Sequence, residues 1–201
     1  MNARRILEYG GLLAGVVLII FGAVAIYMGV DGRSTVRDSL KQEQIFFGNT
    51  EDPAVAKHAE QWAEEQVLTG SQARAFAQVM REHALESSDG LTYAQMGRFQ
   101  SAANPEDAKG TSDEEAAAKD ANGAPISNSA RNLWVTETAL STALNVSYMA
   151  EQLAIFGIVV GVALLLTGVG LIILALVVLG DALRRKVEVP APGASKPVPS
   201  H

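Results

Sequence analysis

The sequence predicts an all-α membrane protein, in which two transmembrane helices form a hairpin and extensions of both carry a small helical extracytoplasmic domain. Two uncharged segments, a matched glycine spacing and helical periodicity between them support this fold class. No charged residue occurs from Gly10 to Val30 or from Leu153 to Gly180. A helix needs about 20 apolar residues to span a bilayer, and each segment is at least that long. The alternative is a buried helix of a soluble protein, and two such segments in 201 residues argue against it.

Small residues recur in both segments at intervals of four, seven and seven residues. This spacing places them on one face of a helix, where two backbones can approach closely. Antiparallel pairing keeps the sum of facing residue numbers nearly constant. The facing pairs that satisfy this are Gly11 with Ala175, Gly15 with Gly168, Gly22 with Gly161, and Gly29 with Gly157. We therefore expect an intramolecular hairpin; homo-oligomers formed through the same glycines are the alternative.

Basic residues precede the first segment and follow the second, at the ends that face the two termini. By the positive-inside rule, this predicts a multi-pass plasma membrane protein with both termini in the cytoplasm. These residues are Arg4 and Arg5 before the first segment and Arg184, Arg185 and Lys186 after the second. The predicted organisation is a cytoplasmic N-terminus at 1–9, a first span at 10–30, an extracytoplasmic helical domain at 31–152, a second span at 153–180 and a disordered cytoplasmic tail at 181–201. A signal peptide cleaved after Ala25 is the alternative for the first span.

The segment between the spans is acidic, with 19 acidic and 10 basic residues and a net charge of −9. Nucleic acids and anionic lipid headgroups attract basic clusters, so this composition argues against both as partners of the external domain. The chain contains no cysteine, which excludes disulfides, thiolate zinc sites and iron–sulfur clusters.

Capping residues and periodicity organise the external domain. The first helix should continue to about Phe47, and Asp52-Pro53 should open a second that closes at Gly70. Ser71 should cap a third, and Thr92 with Gln95 forms a capping box for a short helix. A flexible linker is expected at about 101–128, with one or two helical turns at 112–119. One continuous helix should run from Ser129 through the second span. Seven aromatic residues should form the core or, where exposed, a partner surface: Phe46, Phe47, Trp62, Phe76, Tyr93, Phe99 and Trp134.

Few residues are candidates for chemistry. His58 and His83 lie on the two central helices, but neither follows a glutamate by three residues, as a carboxylate-bridged metal site would require. Glu151, on the helix that enters the second span, could hold a cation or pair with Arg33 or Arg37. Motifs for nucleophilic catalysis and phosphate binding are absent from the sequence. We therefore expect no catalytic residue, no cofactor and no metal, and retain His58, His83 and Glu151 as possible partner-binding or sensing residues.

Four segments carry a resemblance to a known group: Val36 to Phe47, Gln66 to Val79 with its Thr69-Gly70 turn, Gly90 to Tyr93, and Arg131 through Tyr148 into Leu153. In these the chain resembles a large group of uncharacterised actinobacterial two-span membrane proteins. The resemblance implies a cell-envelope protein. Some members carry an automatic label as aromatic ring-opening dioxygenases, which this sequence does not support because it lacks the iron ligands of such an enzyme. The group has a proline soon after the Phe-Phe pair, whereas here Gly48 follows.

These observations predict a non-enzymatic membrane protein that docks to a larger membrane complex through its external helical domain. The expected partners are the lipid bilayer and another membrane protein. The alternative is an envelope sensor or a membrane protein that binds a ligand or cation.

Overall fold

The computed structural model describes the backbone of residues 3–187 and the side chains of residues 9–177. Its helices are α1 (Ala3–Glu43), α2 (Pro53–His58), α3 (Gly70–Ser87) and α4 (Ser129–Val187), with single 3₁₀ turns at Glu60–Trp62 and Tyr93–Gln95. The described residues contain no β-strand, only five isolated antiparallel bridges. The all-α prediction is therefore confirmed. Residues 188–201 of the predicted tail lie outside the described residues.

Two helices are long and apolar enough to cross a membrane. The candidate segments are Tyr9–Glu43 in α1 and Ser129–Val177 in α4. In each, only 17% of the most apolar stretch is buried within the protein. A core helix of a soluble protein would be mostly buried, so the two helices resemble membrane spans more closely than core helices.

The chain divides into two compact units. The first, here the paired-helix unit, consists of α1 up to Met28 and α4 from Gly157. The second, here the central unit, consists of Gly29–Phe156. The central unit contains the remainder of α1, all of α2 and α3, and the first half of α4.

Backbone contact between glycines holds the paired-helix unit together. A Cβ atom built on Gly22 would lie 2.6 Å from the carbonyl oxygen of Gly161, and one on Gly161 would lie 2.7 Å from that of Gly22. Gly15 and Gly168 show the same reciprocity, at 2.7 and 2.6 Å. Each distance is shorter than any real Cβ contact, so only glycine fits these four positions at the present helix separation.

The ends of the glycine stripe are less crowded. A Cβ atom on Gly11 would lie 3.4 Å from the Cβ atom of Ala175, and one on Gly157 would lie 3.7 Å from the carbonyl oxygen of Ala25. Gly29 is buried and belongs to the central unit. The closest approach of the two helices is therefore in the middle of the stripe.

The core of the central unit joins α1, α2, α3 and α4. Its largest aromatic group is formed by Phe47, which stacks on Trp62 at a centroid distance of 6.1 Å and meets Phe76 edge-on at 5.4 Å. The buried aliphatic members are Leu40, Val55, Val67, Val79 and Leu144. A smaller cluster of Ala84, Met96 and Trp134 packs the other end of α3 against α4.

Three predicted helix boundaries are wrong. α1 ends at Glu43, before Phe47, and α2 ends at His58, well before Gly70. The cause is backbone pairing between distant segments: Val67 N–H donates to the Ile45 carbonyl oxygen at 2.9 Å, and Phe47 N–H donates to that of Glu65 at 3.0 Å. This pairing buries Val67 completely. α3 is capped by Thr69, two residues earlier than the predicted Ser71, through a reciprocal capping box with Gln72.

The segment at 101–128 is irregular but internally paired. Bridges join Ser101 to Ala117 and Lys119 to Pro125, so the helical turns expected at 112–119 are absent. Asn128 is buried and closes the segment, since its side-chain amide donates to the carbonyl oxygen of Ala108 at 2.9 Å and its side-chain oxygen accepts from the Ala130 N–H at 3.1 Å. Asn128 thus caps α4 and anchors the preceding segment at once.

We expect Gly22→Ala to destabilise the paired-helix unit, because the new methyl group would meet the Gly161 carbonyl oxygen and force the helices apart. Overpacking of this kind costs about 1–3 kcal/mol. The measurement is thermal unfolding of the full chain in detergent. Gly170→Ala is the matched control, because no atom lies within 4 Å of its Cβ position; an equal loss in both variants would contradict the packing role.

Candidate functional site

The three residues proposed for partner binding or sensing all lie in the central unit, but they do not form one site. His58 ends α2, and its Nε2 atom lies 3.4 Å from Oε2 of Glu82 on α3. Lys57 donates to Oε1 of the same carboxylate at 2.8 Å. His83 lies on α3, with its Nε2 atom 2.9 Å from Oδ2 of Asp52, the N-cap of α2. Each histidine therefore ties α2 to α3 through a carboxylate.

These contacts lower the pKa of both carboxyl groups. The hydrogen bond from His83 is the main cause of the lowered pKa of Asp52, aided by the backbone N–H of Ala54. Hydrogen bonds from Lys57 and then His58 lower the pKa of Glu82. Both carboxylates are solvent-accessible, so screening by water and salt keeps the energetic effect small.

The described residues contain no group of three or more histidine, cysteine, aspartate or glutamate side chains that could hold a metal ion. His58 and His83 have different carboxylate partners. The two histidines therefore form two separate contacts between α2 and α3.

Glu151 connects α4 to the start of α3. It is only 7% exposed, and its Oε2 atom accepts a hydrogen bond from the Gly70 N–H at 2.7 Å. The Nε atom of Arg33 on α1 lies 3.5 Å from the other carboxylate oxygen. A carboxylate at this position satisfies one of the free N–H groups of the helix N-terminus and interacts favourably with the helix dipole.

Gly70 is the residue that permits this contact. A Cβ atom built there would lie 2.7 Å from the Cα atom of Tyr148 and 2.9 Å from Oε2 of Glu151. The first turn of α3 therefore lies directly on the backbone of α4. Sequence reasoning recognised Gly70 as a helix boundary but did not detect this contact, because it joins residues 81 positions apart.

A polar cleft between α3 and α4, of about 300 Å³, was also missed by the sequence analysis. Arg74 and Arg81 line it from α3, and Glu137 lines it from α4. The guanidinium carbon of Arg74 lies 4.8 Å from the ring centroid of Tyr148, and that of Arg81 lies 5.1 Å from the ring centroid of Trp134. Both arginines are therefore positioned by cation–π contacts.

Glu137 is the buried charge of this cleft, at 4% exposure. Its Oε1 atom accepts a hydrogen bond from the Ser141 hydroxyl, and its Oε2 atom lies 3.5 Å from the Thr138 hydroxyl. Within residues 9–177 it forms no salt bridge. The only sequence signal was Ser141 four residues after Glu137, which does not reveal burial.

Profiles of known protein families, curated proteins and solved structures give no match to this chain.

We expect the stability of the central unit to fall as the pH drops below about 4. Because the folded-state pKa values of Asp52 and Glu82 are lowered, the stabilisation they provide is present above their ordinary values and is lost as the pH falls through the lowered ones. Asp52→Asn keeps an N-cap but removes the charge. The melting temperatures of the wild type and of Asp52→Asn should be measured in detergent from pH 7 to pH 3. The difference between them should shrink as the pH falls; a constant difference would contradict the titration of Asp52.

Glu151→Ala should cost about 1–3 kcal/mol, because it leaves the N–H of Gly70 buried without an acceptor. Gln152→Ala, an exposed position next to it, should change stability by less than about 0.5 kcal/mol. Chemical unfolding of the full chain in detergent provides the comparison. Equal effects of the two substitutions would show that Glu151 does not anchor α3.

Proposed function

We propose that the protein is a non-enzymatic integral membrane protein of the bacterial cell envelope, which serves as an accessory or scaffold subunit of a larger membrane complex. The observation that supports membrane insertion most strongly is the exposure of large apolar side chains in the paired-helix unit. Leu13 is 67% exposed, Phe21 64% and Leu166 70%. These side chains point away from the partner helix.

Glycine permits the closest backbone contact in the paired-helix unit, and many of the largest side chains lie outside that contact. Beside the contact glycines pack four aliphatic side chains, Ile19, Ile26, Leu165 and Ile172, whereas others, such as Phe21 and Leu166, are mostly exposed. In water, burying these exposed side chains would contribute about 25 cal/mol per Å². In a bilayer, lipid tails already solvate large side chains, so small residues at the contact allow the closest packing. The arrangement favours a lipid environment.

The proposed topology has both termini in the cytoplasm of a plasma membrane protein, with the acidic segment 31–152 outside. Its support is the position of Arg4 and Arg5 before the first span and of Arg184, Arg185 and Lys186 after the second. Membership of the actinobacterial two-span group is part of the same proposal, on the four segments described above.

Docking is supported by apolar side chains that the central unit leaves exposed. Phe46 is 58% exposed beside the buried Phe47, and Val135, Val146 and Met149 of α4 are each more than half exposed. Exposed aromatic and aliphatic side chains are common at the centres of protein interfaces. A partner that covers them would remove this apolar surface from water.

A second candidate function is ligand sensing, and the polar cleft at Arg74, Arg81 and Glu137 is the observation that favours it. His58 and His83 do not contribute to this cleft, because each is engaged between α2 and α3. The two functions are compatible in one chain.

Cross-linking in native membranes tests the docking function. A C-terminally tagged copy is cross-linked through its external lysines, Lys41, Lys57, Lys109 and Lys119, and analysed by mass spectrometry. We expect one dominant heterologous membrane partner. Phe46→Ser should reduce its yield several-fold by removing an exposed apolar contact, whereas the control Ile126→Ser, at another exposed apolar position, should not.

The sidedness of the chain can be checked in the same cells, because the sequence has no cysteine and one introduced thiol is a unique reporter. A membrane-impermeant maleimide should label Asp113→Cys in intact cells and Ser195→Cys only after permeabilisation. Recovery of self-links alone would contradict docking to another protein, and reversed labelling would contradict the topology.

A further inference from the structure

The cleft between α3 and α4 contains charges of opposite sign that do not neutralise one another. Arg74 and Arg81 face it from α3, and Glu137 faces it from α4. Within the described side chains, none of the three takes part in a salt bridge. Elsewhere in the central unit, buried or helix-linking carboxylates have cationic partners, as Glu151 has Arg33 and Glu82 has Lys57.

Glu137 retains hydrogen-bonding capacity toward the cleft. An ionised carboxylate offers about four acceptor positions, and here the donors are the hydroxyls of Ser141 and Thr138, the latter at 3.5 Å. A buried carboxylate is costly when it lacks a cation or sufficient donors. A cationic group entering the cleft would therefore gain a strong, poorly hydrated partner.

Arg74 and Arg81 have the complementary property. Their guanidinium carbons lie over the rings of Tyr148 and Trp134. A guanidinium group has five N–H donors, and within the described side chains neither arginine forms a salt bridge, so donors remain for an anion such as a carboxylate. The contact with the ring also restricts each side chain in advance, which lowers the entropy lost on binding.

The remaining polar lining is neutral. Gln78, Thr142 and Asn145 add amide and hydroxyl groups to the cleft. The volume of about 300 Å³ lies at the small end of ligand sites. A ligand smaller than a typical drug molecule suits this volume.

We propose that this cleft binds a small zwitterion of the amino-acid class, with its carboxylate at Arg81 and its ammonium group at Glu137. The ring that Arg81 contacts, Trp134, lies about one helical turn from Glu137 on α4, whereas the ring that Arg74 contacts lies about three turns away. A simple cation would be repelled by the two arginines, and Glu137 is the only carboxylate among the described residues that line the cleft. A simple anion would be repelled by Glu137. A zwitterion satisfies both charges. This inference does not depend on the docking function.

The test uses the full chain in detergent and measures melting and calorimetric binding with each of the 20 protein amino acids. Acetate and methylammonium, at equal ionic strength, serve as the two half-ligands. We expect at least one amino acid to raise the melting temperature by about 2–4 °C when well above its Kd, and neither half-ligand to do so.

Variants locate the binding. Arg81→Gln and Glu137→Gln should each weaken binding about tenfold or more, because each removes a charge-assisted hydrogen bond. Arg81 is exposed, so its substitution keeps the test valid if Glu137→Gln fails to fold. Matched controls are Arg98→Gln, whose guanidinium lies 5.2 Å from the Phe99 ring outside the cleft, and Glu86→Gln on the exposed face of α3; both should bind as the wild type does.

The proposal would be overturned by the absence of binding by any amino acid, by an equal shift with acetate alone, or by undiminished binding in Arg81→Gln. A larger shift with O-phosphoethanolamine than with every amino acid would also overturn it, because the anion recognised would then be a phosphate, such as that of a zwitterionic lipid headgroup.

Discussion

The close approach of α3 to α4 at Gly70 is the contact on which the central unit depends. With no side chain on Gly70, the first turn of α3 rests on the backbone of Tyr148, and its N–H reaches the buried carboxylate of Glu151. This fixes one end of α3. The other end is fixed by the packing of Ala84 against Trp134. These two anchors position the rest of α3. The aromatic core around Phe76, the histidine contacts with α2 and the polar cleft all depend on that position.

The carboxylates of the central unit show how burial decides what a charge does. Asp52 and Glu82 are accessible, have side-chain hydrogen-bond partners across the two helices and have lowered pKa values, so they act as modest ties between α2 and α3. Glu151 is buried, and its burial is offset by a backbone donor and by Arg33. Glu137 is equally buried, yet within the described residues only hydroxyl donors reach it. Glu137 is therefore the carboxylate with the most to gain from an additional partner.

Features encoded by local spacing could be predicted from the sequence, and those created by tertiary pairing could not. The uncharged segments, the glycine intervals and the caps at Asp52 and Thr92 are local patterns, and the structure contains two long apolar helices and both caps. The length of α2 was overestimated because its residues after His58 have helical periodicity, but Val67 gains more by pairing with Ile45 and entering the core. The cleft went unnoticed for the same reason, since Arg81 and Glu137 are far apart in sequence.

The glycine contacts of the paired-helix unit have a meaning that depends on the solvent. In water, replacing a contact glycine by a larger residue costs steric strain but also buries new apolar surface, and the two effects partly offset each other. In the proposed bilayer the second effect vanishes, because lipid is as apolar as the added methyl group. Reciprocal contacts such as that of Gly22 with the Gly161 carbonyl oxygen also bring Cα–H groups close to carbonyl oxygens, a weak attraction available only at this separation. Backbone proximity thus takes over the role that side-chain burial plays in the central unit, and this accounts for glycine at Gly15, Gly22, Gly161 and Gly168 alike.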